Sequence, residues 1–152
     1  MKVTKLEEEN LRILTELFDY HDVDQMVAQC THQIRNGISD IFVLYDQGVL
    51  LGELHAMYFS EDERFAVLGR RAYLYAFRVR EGYQNQGYGT FLLKTVLAAL
   101  QEAGYSEFTV GVEDDNPRAR HMYQSFGFCE LLLRQREEYQ GDAYEYNLYL
   151  KR

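Results

Sequence analysis

Hydrophobic residues near the start of the chain recur at the spacing of amphipathic helices. The first such segment spans residues 8–20, with apolar positions at Leu11, Leu14, Leu17 and Phe18. A second helix is predicted after Asp22 and should end near Asn36-Gly37. Its apolar face comprises Val23, Met26, Val27, Cys30 and Ile34.

Runs rich in β-branched and aromatic residues predict the strands. Residues 41–45 and 49–58 flank the turn Asp46-Gln47-Gly48 and indicate a hairpin, and the polar residues 59–71 indicate a loop. In the next strand, residues 72–80, alternation assigns Tyr73, Tyr75, Phe77 and Val79 to one face, and Leu74 and Ala76 to the other. The remaining predicted strands are residues 108–112, 131–136 and 144–150, with a short opening strand at 2–6.

Two more helices complete the pattern. One covers residues 90–103 and ends before Gly104; the other begins at Asn116-Pro117, with asparagine as N-cap and proline in the first turn, and runs to about residue 126. This order predicts an α+β fold with a mixed, mostly antiparallel central sheet flanked by helices. We expect one parallel crossover, through residues 90–103, and a single domain over residues 1–152.

Composition narrows the choice of partners. With 152 residues, 47% hydrophobic and 26% charged, the chain fits one compact soluble domain. A net charge of −8 argues against a nucleic-acid partner, because nucleic-acid binders normally carry a basic face. The acidity is compatible with a cationic substrate, although solubility alone explains it equally well.

The sequence also argues against a membrane location and against a metal site. No apolar run approaches the roughly 20 residues of a membrane span, and the opening MKVTKLEEEN is charged throughout, so we expect a cytoplasmic protein away from the membrane. Cys30 and Cys129 have no CxxC spacing and are predicted to be small buried hydrophobes. No Cys/His cluster with zinc-ligand spacing is present, so no metal is predicted.

A glycine-rich loop, QNQGYG at residues 84–89, lies between a predicted strand and a predicted helix. Glycine lets ligand oxygens approach the backbone N–H groups, and a helix N-terminus attracts phosphate. A dinucleotide fingerprint would need a third glycine where Leu92 stands, and a Walker loop would need a lysine before Thr90. Both fail, which leaves either a different pyrophosphate loop or a turn that merely starts a helix.

A second motif favours the ligand-binding interpretation. Residues 116–128, NPRARHMYQSFGF, fit the pattern N-x-x-A-x-x-x-Y-x-x-x-G-F, and they follow the Gln84-x-x-Gly87-x-Gly89 loop in the same chain. Together the two motifs resemble the GCN5-related N-acetyltransferase (GNAT) superfamily. The resemblance covers residues 74–128 well and agrees with the order of elements throughout. It implies an N-acetyltransferase that uses acetyl-CoA as cosubstrate.

The resemblance also implies a set of cofactor contacts. The backbone of Phe77, Arg78 and Val79 would pair with the pantetheine arm as a strand does, although Phe77 and Val79 also fit as core residues. The pyrophosphate would be bound by Gln84, Gln86, Gly87, Tyr88, Gly89 and Thr90. Positive charge near it would come from Arg78, Arg80 or Lys94. Asn116 would contact the arm, although its role as a helix cap explains it equally well, and Ala119 would allow close approach.

Tyr123 occupies the position of the family's usual general acid, near the CoA sulfur; the alternative is a buried aromatic in a chain with 13 tyrosines. The implied reaction is direct attack of an amine on the thioester, with a strand N–H near Val79 stabilising the oxyanion. The base is left open, because Tyr73 stands where some relatives carry a glutamate. Glu53, His55, Glu113 and a water chain are the alternatives, and histidine is the type that titrates nearest neutrality.

The acceptor is not encoded in any motif. A small amine, polyamine, aminoglycoside, amino acid or protein N-terminus stays open, as do a homodimer and acyl groups other than acetyl. We expect a small cationic acceptor, because the chain is acidic and Glu53, Glu61, Asp62 and Glu63 lie on the presumed acceptor side. The rival functions are a catalytically weak acyl-CoA-binding or sensor domain of the same fold and a structural domain without cofactor.

Overall fold

The fold was obtained as a computed structural model that describes residues 1–152. It contains seven strands, three α-helices and one 3-10 helix. The strands are β1 Lys2–Lys5, β2 Ser39–Asp46, β3 Val49–Met57, β4 Arg71–Val79, β5 Glu107–Glu113, β6 Glu130–Tyr139 and β7 Asp142–Lys151. The helices are the 3-10 helix Glu8–Glu16, α1 Val23–Arg35, α2 Tyr88–Glu102 and α3 Pro117–Ser125. No helix has the length and apolar character that crossing a membrane would require.

The sheet confirms the predicted fold class. Its strand order is β1-β2-β3-β4-β5-β7-β6. Strands β1–β2, β2–β3, β5–β7 and β6–β7 pair antiparallel, whereas β4 and β5 pair parallel. The parallel pair is the predicted crossover, because α2 joins those two strands. The chain divides into two compact units, which are described separately: Met1–Met57 with Tyr75–Ala103, and Tyr58–Leu74 with Gly104–Arg152.

In the first unit, short-range sequence preferences form the β2–β3 hairpin and α1 as predicted. The β2–β3 hairpin turns at Gln47 and Gly48, whose φ angles of 51° and 78° suit a tight two-residue turn. Helix α1 starts where the side chain of Asp22 accepts a hydrogen bond from the Gln25 N–H at 3.0 Å. Its apolar face packs on a core cluster whose buried members are Leu6, Leu11, Leu14, Met26, Ile41, Val43 and Leu50.

The segment predicted as a helix over residues 8–20 is instead a 3-10 helix that ends at Glu16. Its two buried residues, Leu11 and Leu14, are three positions apart, which is one turn of a 3-10 helix. Because the apolar positions at three-residue spacing suit both helix types, periodicity alone did not separate them.

In the second unit, the first residues of β4 pair with β5 from Arg71↔Glu107 to Leu74↔Val110. Strand β5 then pairs with β7, and β7 with β6. These last two strands are longer than predicted and turn at Gln140 and Gly141, which both have positive φ. One prediction about the cysteines is wrong: Cys30 is half-buried against the core cluster, but Cys129 is exposed.

Strand β4 does not keep the alternation that the sequence predicts. Tyr75 places its ring 5.2 Å from the ring of His55, and Arg78 bonds to Glu53 on the same face of β3. Two β4 residues three positions apart therefore reach one face, which regular alternation forbids. Between them, Ala76 has a φ of 50°, a bulge-like conformation that shifts the alternation by one residue.

Candidate active site

The N-terminus of α2 has free backbone donors. Its N-cap is Gly87, with a φ of 90° and no side-chain hydrogen bond to the first turn. No acidic residue lies in that turn. The first N–H groups of a helix have no partner inside the helix, and the helix dipole places partial positive charge there. This end of α2 can therefore bind an anionic group through its backbone.

The side chains of the loop before α2 hold its shape. Gln84 Nε2 donates to the Val79 carbonyl, and Gln86 Nε2 donates to the Gly82 carbonyl, both at 3.3 Å. The Tyr88 hydroxyl contacts Asp46 Oδ2 at 3.3 Å, and partial desolvation together with that contact raises the pKa of Tyr88. Because the glutamine amides are turned toward the loop's own carbonyls, they shape the backbone, and Gln84 through Gly87 stay exposed.

Gly89 lies where α2 meets the end of β4. A Cβ placed on it would lie 3.4 Å from a methyl of Val79 and 3.5 Å from the ring of Phe77. The side chains of Phe77 and Val79 thus pack under the start of α2, which agrees with the expectation that both also serve as core residues. Their backbone lies beyond Leu74, where the pairing of β4 with β5 ends. Main-chain groups of residues 77–79 are consequently not used by β5.

Of the three cations expected near the loop, two are already paired. The Arg78 guanidinium bonds Glu53 at 2.9 Å and lies 3.8 Å from the Phe18 ring centroid. Arg80 donates to the Leu50 carbonyl and to Glu16, both at 2.7 Å. Lys94 is exposed on α2 and forms no ion pair, which leaves it as the free cation of the expected three.

Glu53 and His55 form a buried polar cluster with Arg78. Glu53 is fully buried and His55 is 5% exposed. His55 Nε2 lies 2.7 Å from one oxygen of Glu53, and Arg78 Nη1 lies 2.9 Å from the other. The negative charge of Glu53 is therefore matched inside the protein, so Glu53 adds little to any attraction for a cationic acceptor.

Asn116, in the second unit, caps α3. Its Oδ1 accepts a hydrogen bond from the Ala119 N–H at 3.1 Å, and Pro117 occupies the first turn. The expected capping role is therefore present. Because the oxygen is used by the helix, the amide nitrogen of Asn116 is the group left to contact a ligand, and its cofactor role stays a prediction.

Tyr123 lies on the buried face of α3 and is 8% exposed. Its ring meets Phe128 edge to face, with centroids 5.6 Å apart. Burial raises the pKa of its phenol above the ordinary tyrosine value. The hydroxyl therefore stays protonated near neutral pH and is suited to donate a hydrogen bond. Asn116 and Tyr123 share the second unit, whereas the predicted pantetheine and pyrophosphate residues all lie in the first.

A cavity of about 440 Å³ opens in the second unit, between the end of β5 and the β6–β7 hairpin. Its lining residues are Glu113, Asp114, Asp115, Arg134, Arg136, Ala143, Tyr144 and Glu145. Arg134 pairs with both Asp114 and Glu145. Partial burial raises the pKa of Glu113, and the neighbouring Asp115 adds to the rise. Tyr144 adds an aromatic wall, and burial raises its pKa to about 12.

Comparison with known proteins decides the family. Residues 4–128 match the model of the acetyltransferase (GNAT) family, and this span includes both motifs. The chain belongs to the GNAT acetyltransferase family. It is accordingly an acetyl-CoA-dependent N-acetyltransferase, as the paired motifs implied. A search of curated proteins found no match.

Solved GNAT structures share the fold over nearly the whole chain. The ribosomal-protein-alanine N-acetyltransferase of Brucella melitensis superposes with a TM-score of 0.77 at 17% identity, covering 99% of each chain. A point mutant of the spermidine N-acetyltransferase SpeG of Vibrio cholerae gives 0.75 at 17%, covering 99% of this chain and 94% of that one. The putative acetyltransferase yncA of Salmonella typhimurium, solved with its cofactor acetyl-CoA, gives 0.73 at 17%, covering 99% and 92%. Identities this low show a common fold only.

The geometry of α2 fits the cosubstrate of the family. Acetyl-CoA carries a pyrophosphate, which requires donors and positive charge; the uncapped first turn of α2 supplies backbone donors, and Lys94 is an exposed cation further along the same helix. Two features escaped the sequence analysis: the bond between Glu53 and Arg78, and the acidic cavity of the last hairpin. The sequence held one indication of the bond between Glu53 and Arg78: each is a charged residue in an apolar strand, and buried charges are almost always paired.

Proposed function

We propose that this GNAT protein transfers the acetyl group of acetyl-CoA directly to a primary amine of a small cationic acceptor. The observation that carries the choice of acceptor is the cavity in the second unit, where four carboxylates face two arginines. A cavity with an excess of negative charge concentrates cations and disfavours anions. The fold neighbours include enzymes named for spermidine and for a ribosomal protein's alanine, so both small and protein acceptors occur on this fold.

For acetyl-CoA, the residues proposed from the sequence keep their roles. Phe77, Arg78 and Val79 would pair with the pantetheine arm through their main chain, and the amide nitrogen of Asn116 would contact the same arm. The pyrophosphate would lie on the first turn of α2, contacted by Gln84, Gln86, Gly87, Tyr88, Gly89 and Thr90. Of the three cations expected near the pyrophosphate, we retain Lys94, because the guanidinium groups of Arg78 and Arg80 are engaged by Glu53 and Glu16.

The reaction moves two protons. An ammonium acceptor first loses one proton to become a nucleophilic amine. Its nitrogen then forms a bond to the acetyl carbon while the carbon–sulfur bond breaks, and a second proton leaves nitrogen so that the sulfur departs as a thiol. We propose that Tyr123 donates a hydrogen bond to the sulfur as negative charge grows there, because its buried phenol stays protonated.

Binding of acetyl-CoA is tested first, by thermal unfolding and calorimetry. At 100 times its dissociation constant, acetyl-CoA should stabilise the protein by about 2.7 kcal/mol. Absence of any shift with acetyl-CoA or with CoA would contradict the cosubstrate assignment for this chain.

The acceptor is tested by thiol release with a panel of amines: spermidine, lysine amide, an aminoglycoside, glutamate and a peptide with N-terminal alanine. We expect the polyamine and other polycations to have the highest kcat/KM and glutamate the lowest. Glu113→Gln should lower kcat/KM for spermidine by about 3- to 10-fold, with less effect on an uncharged-side-chain peptide. A preference for glutamate would contradict the proposal.

Three inferences from the sequence stay predictions: a single functional domain, a cytoplasmic location, and no membrane or nucleic-acid partner. A homodimer stays open. Size measurement in solution and cell fractionation would test them, and neither result changes the assignment of acetyl transfer.

A further inference from the structure

A carboxylate, an imidazole and a guanidinium are buried together on one face of β3. Glu53 is fully buried, and its two oxygens are each engaged, one by His55 Nε2 at 2.7 Å and the other by Arg78 Nη1 at 2.9 Å. Arg78 is itself held from outside the strand, with its guanidinium 3.8 Å from the Phe18 ring centroid. The three side chains have little freedom to rearrange.

Charge balance fixes the resting state of the imidazole. One guanidinium, which is always charged, already neutralises one carboxylate. The cluster is therefore balanced when His55 is neutral, and a proton that His55 accepts during the reaction is held only transiently, because it leaves the cluster with one unmatched positive charge. Neutral His55 can satisfy the 2.7 Å contact only if Nε2 carries the proton, because an ionised carboxylate accepts and cannot donate. The lone pair of the ring is then on Nδ1.

Nδ1 is not sealed in the core. The hydrogen bond of His55 to Glu53 uses Nε2. No buried side-chain nitrogen or oxygen in the structure lacks a hydrogen-bond partner. Since His55 makes no second side-chain hydrogen bond, Nδ1 must keep a small exposed area, in a residue that is 5% exposed overall. An imidazole held by a carboxylate through one nitrogen, with the other nitrogen accessible and unprotonated, is the arrangement of a general base.

We propose that His55 is the base of this acetyltransferase and that Glu53 and Arg78 are the residues that position it. Nδ1 accepts, by way of water, the proton that an ammonium acceptor must lose, and the imidazolium later returns it to solvent. The amine keeps the electron pair of the broken N–H bond and uses it to attack the acetyl carbon. This inference rests on the proposed function for its acceptor, but the state of the imidazole does not depend on it.

Other titratable groups face the cluster from three elements. Tyr75 of β4 contacts the His55 ring, and burial raises its pKa to about 12. Tyr20, from the segment before α1, contacts Arg78 at 3.4 Å, and burial raises its pKa as well. Cys30 of α1 also has a raised pKa, through burial and the charge of Glu53. All three stay neutral near pH 7, so none of them changes the charge of the cluster there.

The first test needs neither acceptor nor acetyl-CoA. Nitrogen-15 NMR of the four histidines, with His55 assigned from the spectrum of His55→Gln, reports which ring nitrogen is protonated. At about pH 8 we expect the His55 signals of a neutral ring with the proton on Nε2. A proton on Nδ1, or an imidazolium that persists up to about pH 9, would overturn the proposal whatever the acceptor is.

The second test is the pH profile of kcat/KM with spermidine, or with the best amine of the panel. Glutamine at position 55 can still donate to Glu53 from an Nε2 atom but cannot act as a base. We expect His55→Gln to lower kcat/KM about 100-fold and to remove the limb in the range where imidazoles titrate. The affinity for acetyl-CoA and the melting temperature should change little.

His32→Gln is the matched control, because His32 lies on α1 away from this cluster's contacts and the substitution is the same. Its rate and pH profile should equal those of the original protein. A His55→Gln enzyme that keeps both its rate and the limb would refute the base while leaving the proposed function standing. If no amine is acetylated by the unmodified protein, the proposed function fails instead, and the NMR result still decides the state of His55.

Discussion

Two helices of this protein begin at a motif of the same family, yet their N-termini are of opposite kinds. Helix α2 starts at Gly87, in a left-handed conformation without a side-chain cap, so its first N–H groups are free. Helix α3 starts at Asn116, whose side chain accepts a bond from Ala119, with Pro117 removing another donor. One helix end offers its backbone to a ligand, whereas the other is closed by its own residues.

The difference shows how each helix can contribute to function. In the proposed function, α2 contributes through the backbone N–H groups of its first turn. Because the backbone donors at the start of α3 are closed off, we expect its contribution to come from side chains, namely the amide of Asn116 and, further along, the buried Tyr123. Substitutions that alter one kind of contribution and spare the other test this contrast.

Removing the hydroxyl of Tyr123 should have the largest effect. Tyr123→Phe keeps the ring packed on Phe128 but removes the proposed hydrogen bond to sulfur. We expect kcat to fall about 10²- to 10⁴-fold, with little change in KM for acetyl-CoA or in melting temperature. Steady-state kinetics and thermal unfolding of the same variant check this. Near-normal turnover would assign Tyr123 to packing alone.

Changing Gly87 should weaken acetyl-CoA binding by an intermediate amount. At a φ of 90° any side chain is strained, so Gly87→Ala should shift the loop and misdirect the first N–H groups of α2. Loss of one charge-assisted bond predicts about 10-fold weaker binding by calorimetry.

Gly37→Ala is the control for that strain. Gly37 also has a positive φ, 67°, with nothing within 4 Å of the place that a Cβ would take, and it follows α1 far along the chain from the loop. Gly37→Ala should lose about 1 kcal/mol of stability, as Gly87→Ala should, but it should bind acetyl-CoA normally. Equal loss of binding in both variants would mean that global strain, and not the α2 end, is responsible.

Asn116 separates capping from ligand binding. Asn116→Asp keeps an oxygen for the Ala119 N–H, so thermal stability should be retained, but it removes the amide donor and adds negative charge. We expect acetyl-CoA to bind about 3- to 10-fold more weakly, while Asn116→Ala should also lose about 1 kcal/mol of stability. Unchanged affinity in Asn116→Asp would restrict this residue to closing α3.

The smallest effect is expected at Lys94. This exposed cation on α2 has no acidic partner, so Lys94→Gln should weaken acetyl-CoA binding about 2- to 5-fold at low salt and less at high salt. Lys2→Gln makes the same change of net charge on β1 and should have no effect. Identical titrations of both variants would show that total charge, not position, sets the attraction.

Local preferences made much of the fold predictable. The hairpin at Gln47-Gly48, the start of α1 after Asp22 and the Asn116-Pro117 start of α3 depend on residues close in sequence, and each formed as expected. The two motifs likewise predicted the family that residues 4–128 match. Where the prediction failed, at Ala76 and at Cys129, the outcome depends on how a strand or a helix end meets its neighbours.

The sequence by itself determined the order of elements, the glycine loop, the position of Tyr123 and hence the acetyltransferase family. The tertiary structure decided which charges are free. The sequence suggests Arg78 as a cation for the cofactor, yet in the fold it is bound to Glu53, 25 positions away. The same cluster also holds one ring nitrogen of His55, which the sequence could name only as one of several candidate bases. Pairing of buried charges depends on strands brought together by the sheet, and no local pattern records which distant partner each charge will meet.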